Sequence, residues 1–286
     1  MKNLQCQLAS RPVGEPKTSD FNYVEAEVRQ PSEGEVLVKN LFLSLDPAMR
    51  GWMMDNKKSY IPPVGLGEVM RALGIGKVIE SNDEKYAAGD YVSGLLGVQQ
   101  YMTGSAKAVG GLTKVSAGQI PLERYLSVMG MPGMTAYHGL LVEAKPQPGE
   151  TVVISGASGA VGAVVGQIAK IKGCKVIGIA GGEEKCRYIT EELGFDAAID
   201  YKNTNVTAAL REHCPKGLDI YFDNVGGEIL DAALANLAMH ARIIVCGAIS
   251  QYNNSGEMNG PKNYLAILPA RATMRASPIN MAPKSI

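Results

Sequence analysis

Between residues 151 and 245, short apolar runs alternate with stretches whose apolar residues recur at helical spacing. Val152 to Ile154 reads as a buried parallel strand, and after a glycine turn Val161, Val164, Val165, Ile168 and Ile171 fall on one helical face. Lys175 to Ile179 predicts a second strand, and Glu183 to Leu193 a helix ended by Gly194. Ala197 to Asp200 predicts a third strand, Leu218 to Phe222 a fourth, Gly226 to Leu237 a helix, and Ile243 to Val245 a fifth strand. Such a series builds a doubly wound parallel sheet, whose ligands sit beyond the carboxyl ends of its strands. A sixth strand is expected after Arg275, but the pattern shows none there, which predicts an unpaired sheet edge and an uncovered apolar face.

The first 120 or so residues read differently. Glu35 to Ser44, Gly74 to Ile79 and Gly89 to Val92 are extended runs with little helical periodicity, as in a small β-rich barrel. Leu122 to Lys145 has helical spacing, broken at Met131-Pro132-Gly133 and again at Pro146 to Gly149. Two domains follow, residues 1–122 and 123–275, with an atypical tail at 276–286. The formal net charge is zero, without basic or acidic blocks, so neither a nucleic-acid nor a membrane partner is expected. With no signal-peptide core or spanning run, a cytoplasmic protein is expected. The five cysteines and three histidines are scattered, which argues for free thiols and against a metal site.

The chemistry concentrates at the glycine turn. A strand, a tight turn and a helix in that order leave free helix N–H groups facing whatever lies above the sheet, which suits a pyrophosphate. Gly159 lets the backbone approach phosphates, Ala160 and Val161 carry further N–H groups, and Gly162 lets the helix pack tightly. Ala157 replaces the first glycine of the usual G-x-G-x-x-G pattern. At the end of the second strand, Gly181 and Gly182 stand where an acidic residue would select NAD. Lys185 and Tyr201 could hold an extra phosphate there, favouring NADPH, although Lys185 as a solvated helix lysine stays open. Asn224 could meet the cofactor or simply make a turn before two glycines. Tyr252 is the catalytic candidate, a phenol able to stabilise charge growing on a substrate carbonyl oxygen; a Tyr packed at a loop tip is the plain alternative.

Several runs jointly resemble the zinc-independent medium-chain dehydrogenase/reductases, in the subgroup of NADPH-dependent alkenal, prostaglandin and curcumin double-bond reductases. They are Leu45 to Gly51, Tyr60 to Met70, Met129 to Gly139, Ser155 to Gly162, Phe222 to Gly227 and Cys246 to Tyr252. The resemblance implies a Rossmann domain and a β-rich GroES-like N-terminal domain, in an α/β chain. It implies NADPH contacts from Gly159, Ala160, Val161, Gly162, Lys185, Tyr201 and Asn224. Further contacts are implied from Cys246, Gly247, Ala248, Ile249, Ser250, Gln251 and Tyr252, with Tyr252 near the carbonyl of an α,β-unsaturated substrate. It also suggests a homodimer. Two departures stand out: Ala48 occupies a position where the family often has Tyr, and the chain lacks the family's usual C-terminal return segment, as a truncation or altered end would leave. Three activities remain open: an enone reductase, a nucleotide-binding remnant without turnover, and a quinone oxidoreductase. No Tyr among the twelve is followed four residues later by Lys, which sets aside the short-chain dehydrogenases.

Overall fold

The computed structural model describes residues 1–277 apart from Tyr60, Ala108, Val109, Gln119, Ser255 and 257–259. Most of the expected atypical tail therefore lies outside the described residues, as does Tyr60 of the second family run. The chain forms two compact units, one from Met1 to Leu126 and one continuing from Ser127. Among the described residues, no helix is long and apolar enough to cross a membrane.

In the first unit, β1 (Lys2–Leu8) pairs antiparallel with β2 (Phe21–Glu27). β3 (Val36–Leu43) leads to the short helix α1 (Ala48–Trp52), and β4 (Gly74–Ser81), β5 (Tyr91–Gly94), β6 (Tyr101–Gly104) and β7 (Thr113–Val115) follow. These build a five-stranded antiparallel sheet in the order β6-β3-β4-β5-β7. β1 also makes isolated bridges from Gln5 to Gln99, just before β6, and from Gln7 to Val69, just before β4. Val36, Val38, Val78 and Val92 of this sheet meet Leu96, just beyond β5, in one apolar cluster. Met49 and Trp52 of α1 pack with Leu8 and Met70 in another.

The second unit opens with α2 (Met131–Tyr137), which runs on as a π-helical segment, His138–Ala144. The expected break at Met131-Pro132-Gly133 is instead a helix start. Proline lacks an N–H, but the first helical turn needs none, so Pro132 begins this helix rather than interrupting it. Then come β8 (Thr151–Ser155), α3 (Ala160–Ile171), β9 (Lys175–Ala180), α4 (Glu183–Arg187), β10 (Ala197–Asp200) and α5 (Val206–His213). β11 (Leu218–Asp223), α6 (Gly227–Leu234), β12 (Leu237–Val245), α7 (Ile267–Ala270) and β13 (Thr273–Ala276) complete it.

Six strands lie in the order β10-β9-β8-β11-β12-β13, parallel throughout. That is the doubly wound order, with its switch point between β8 and β11. Both faces are covered: Val152, Ile154, Ile220 and Phe222 pack with Val165 and Ala169, while Val153, Ile177, Tyr221 and Ile243 pack with Leu210 and Leu234. Double-sided burial explains why these strands read as unbroken apolar runs rather than alternating ones.

Several expectations are corrected. A sixth strand does exist, but earlier than the expected place after Arg275: β13 pairs with β12 from Arg242↔Thr273 to Val245↔Ala276. Four residues, all exposed on this edge, are too few to leave a periodic signal. The next residue, Ser277, continues the packing, donating from its N–H to Val245 O at 2.8 Å. On α3 the buried stripe is Gly162, Val165, Gly166 and Ala169, whereas Ile171 at the helix end is 82% exposed. The helix expected to reach Leu237 stops at Leu234, because Leu237 pairs with Leu218 at the start of β12. The helix expected over Glu183 to Leu193 is α4 continued by a π-helical Tyr188–Glu192. Helix α5 went unread, although Asn205 caps it by accepting the Ala208 N–H at 3.0 Å.

Candidate functional site

The candidate residues gather along the carboxyl ends of β8 to β12. At the end of β8 the chain reverses at Gly156, whose φ of +59° suits glycine. This explains Ala157 in place of the usual first glycine: Gly156 makes the turn, and Ala157 is fully buried against the bare backbone of Gly178. Gly159 is extended and exposed, and the helical ladder begins only with Ala163 N–H donating to its carbonyl at 2.9 Å. The N–H groups of Ala160, Val161 and Gly162 therefore precede the ladder at the positive end of α3. Gly162 brings the helix close: a Cβ there would lie against the Gly156 carbonyl and 2.9 Å from Ala157 Cα. The exposed turn, the amides ahead of the helical ladder and this close approach fit a dinucleotide pyrophosphate.

At the end of β9, Gly181 lies beneath the Tyr201 ring, whose hydroxyl oxygen would be 2.9 Å from any Cβ at that position. The space gained from these strand-end glycines thus goes partly to Tyr201, which is half-exposed. Asp200 holds the arrangement, accepting from Gly182 N–H at 2.8 Å, Lys202 N–H at 3.1 Å and the Asn203 amide at 2.7 Å. The Gly182 N–H, followed by the Asn203 amide, keeps the Asp200 carboxyl below its ordinary range. Lys185 lines a surface cavity of about 390 Å³ with Ser158 of the glycine turn. Arg187, Tyr188, Glu184, Glu191 and Glu192 complete that lining, so two cations face three carboxylates there.

The other end of the crest is built by β11 and β12. Asn224 donates its side-chain amide to Ser155 O at 2.7 Å and its N–H to Ser155 Oγ at 2.9 Å, fastening the turn after β11 to β8. The loop from Cys246 to Tyr252 hangs from the same turn. Cys246 and Gly247 donate to Asp223 O at 2.8 and 3.0 Å, Ile249 to Asn224 O at 3.3 Å, and Ser250 to Val225 O at 3.2 Å. Tyr252 is half-buried and folds back on its own loop, its hydroxyl accepting Ala248 N–H at 3.3 Å. Gln251 ends the short 3-10 turn that starts at Ile249, donating its N–H to Ala248 O at 2.8 Å. The two ends of the crest meet where Asn224 Cβ faces Gly156.

Sequence reasoning missed Ser155, Ser158, Arg187, Asp200 and Asp223. Ser155 and Asp223 left a usable signal, since each is a polar residue ending an apolar strand run and each is buried. Tyr221, also fully buried, donates to Asp223 at 3.0 Å, and its phenol is held well above its ordinary range by burial and then by the Asp223 charge. Among the described residues, no group of three His, Cys, Asp or Glu side chains is disposed to hold a metal ion.

Burial, and then the Asp223 charge, pushes the Cys246 thiol up to about 12 from an ordinary value of 9.0. Thiolate grows with pH, so at pH 9 native Cys246 should hold about a thousandth of its thiol as thiolate, against half for an unperturbed cysteine. Cys246 is therefore expected to resist an aromatic disulfide reagent at pH 9 until the protein is denatured. Rapid labelling of the native chain, mapped to Cys246 by peptide mass, would contradict this.

Two families match the chain: one described as the N-terminal domain of oxidoreductase over residues 4–112, the other as zinc-binding dehydrogenase over residues 160–280. The chain is 47% identical to the NADPH-dependent curcumin reductase of Escherichia coli, across 91% of this chain and 74% of that protein. It is 41% identical to the NADP(+)-dependent 2-alkenal reductase of Nicotiana tabacum, across 96% of this chain and 80% of that one. The crystal structure of CurA in complex with NADPH from Vibrio vulnificus superposes with a TM-score of 0.89 at 43% identity, covering 97% of this chain and 82% of that one.

Proposed function

Because the chain belongs to the zinc-independent medium-chain dehydrogenase/reductases, in the subgroup of curcumin and alkenal reductases, we propose that it reduces the carbon–carbon double bond of α,β-unsaturated ketones and aldehydes with NADPH. The observation that carries this reading is the exposed glycine crest, with three helix amides ahead of the ladder. In it, the amides of Ala160, Val161 and Gly162 hold the pyrophosphate, while Lys185 and Tyr201 hold the 2′-phosphate. Asn224 and the Cys246–Tyr252 loop frame the nicotinamide end. NADPH, when bound, supplies a hydride to the β-carbon of the substrate. The Tyr252 hydroxyl then stabilises the charge that develops on the carbonyl oxygen, and solvent protonates the α-carbon. Residues 123–275 carry the cofactor side of this reading and residues 1–122 the substrate side; a homodimer and a cytoplasmic location belong to it as well.

The test is direct. Purified chain, NADPH and a simple enone should consume NADPH absorbance and yield the saturated ketone, identified by mass spectrometry. A panel of enones, enals and quinones separates the rival activities. Turnover of quinones alone would replace this reading, and NADPH binding without any reduction would point to a nucleotide-binding role.

Lys185 sets a second expectation. A charge-assisted hydrogen bond is worth about 1.5–3 kcal/mol, so Lys185→Ala should lower the preference for NADPH over NADH about ten- to a hundredfold in kcat/KM. An unchanged preference would return Lys185 to the role of a solvated helix residue.

A further inference from the structure

Asp223 has a geometry that the reading above does not use. It closes β11 and is 1% exposed. Its Oδ1 alone accepts four hydrogen bonds: from Ser155 Oγ at 2.9 Å, Tyr221 Oη at 3.0 Å, Val225 N–H at 3.0 Å and Gly226 N–H at 2.9 Å. Its other carboxyl oxygen is buried with no partner among the described residues. Shaping a turn does not require this, because a serine or asparagine satisfies two N–H groups without burying an idle carboxylate oxygen. Gathering four donors onto one atom does call for the charge density of a carboxylate, which a neutral amide oxygen does not supply.

What those donors carry is specific. The Ser155 hydroxyl donates to Asp223 and accepts the Asn224 N–H, and the Ser155 carbonyl takes the Asn224 side-chain amide. Asn224 O then accepts Ile249 N–H, and Val225 O accepts both Ser250 N–H and Ser250 Oγ, the latter at 2.6 Å. The main-chain carbonyl of Asp223 takes Cys246 and Gly247 directly. Both loops that hold candidate residues at the nicotinamide end are thus hung from one residue, by side chain and by main chain.

We propose that Asp223 is a positioning residue for hydride transfer, fixing Asn224 through Ser155 and the Ile249–Tyr252 turn through Asn224 and Val225. The inference rests on the enone-reductase reading. It adds that reactivity, rather than substrate affinity, depends on a carboxylate that touches neither substrate nor cofactor.

The experiment compares the wild-type chain with Asp223→Asn and Ser155→Ala, using NADPH, NADPH deuterated at the transferring nicotinamide carbon, and a simple enone. Asp223→Asn should lower kcat about a hundredfold, the scale expected when reacting groups are misplaced by about an ångström. KM for the enone should stay within about threefold, and the isotope effect on kcat should rise as hydride transfer becomes limiting. Ser155→Ala, a small change that interrupts only the Asn224 branch, should act in the same direction at about a tenth of the effect. It decides the question if Asp223→Asn fails to fold. Variants that melt earlier but keep the wild-type kcat and isotope effect would overturn the proposal and leave the enone-reductase reading standing. A wild type that neither binds NADPH nor consumes it would overturn the reading first, and the proposal with it.

Discussion

Tyr252→Phe is expected to lower kcat for a simple enone about a hundredfold while leaving NADPH affinity within a few-fold of wild type. Removing one donor aimed at a developing oxyanion costs about 2.7–4 kcal/mol of transition-state stabilisation. The structural cost is smaller. The hydroxyl accepts Ala248 N–H at 3.3 Å, a long bond within its own loop. Losing it should cost about 0.5–1.5 kcal/mol of stability. The two effects separate by measurement: steady-state kinetics should show the fall in kcat, and a thermal melt should move by only a few degrees. Unchanged turnover would remove Tyr252 from the chemistry and leave it as a tyrosine packed over Gly247.

Gly162→Ala should weaken the crest itself. Its methyl carbon would lie against the Gly156 carbonyl oxygen and 2.9 Å from Ala157 Cα, both backbone atoms that cannot rotate aside. Alanine favours a helix over glycine by about 1 kcal/mol, yet overpacking against backbone costs about 1–3 kcal/mol and forces α3 away from β8. The amides of Ala160 and Val161 move with the helix. A displacement near 1 Å should cost about a hundredfold in kcat/KM for NADPH. Differential scanning fluorimetry with and without NADPH, alongside the kinetics, tests both halves. A variant with wild-type melting and wild-type NADPH kinetics would show that the close approach at Gly162 is dispensable.

Much of the second unit was legible because a parallel strand buried on both faces must be apolar at every position. Val152–Ile154 and Leu218–Phe222 therefore announce themselves without reference to the rest of the chain. The glycine turn was legible for a local reason too, since a φ of +59° at Gly156 suits few other residues. β13 was not legible. Its four residues are exposed, and only the backbone edge of β12 makes them a strand. Pro132 misled for a related reason: proline breaks a helix or begins one according to which turn it occupies, and composition does not state the turn.

The candidate site divides along the same line. Residue types and local order determined that amides would crown α3, that glycines would end β9, and that Lys185 would follow one turn into α4. Each depends on neighbours within a few positions in the chain. Tertiary structure alone decided that Tyr201 leans over Gly181, that Ser158 shares a cavity with Lys185, and that Ser155, 68 residues before Asp223, gives its hydroxyl to that carboxylate. Those pairings cross between strands that meet only when the sheet forms. Hydrogen bonds between strand ends depend on register, and register is set by the packing of both sheet faces at once.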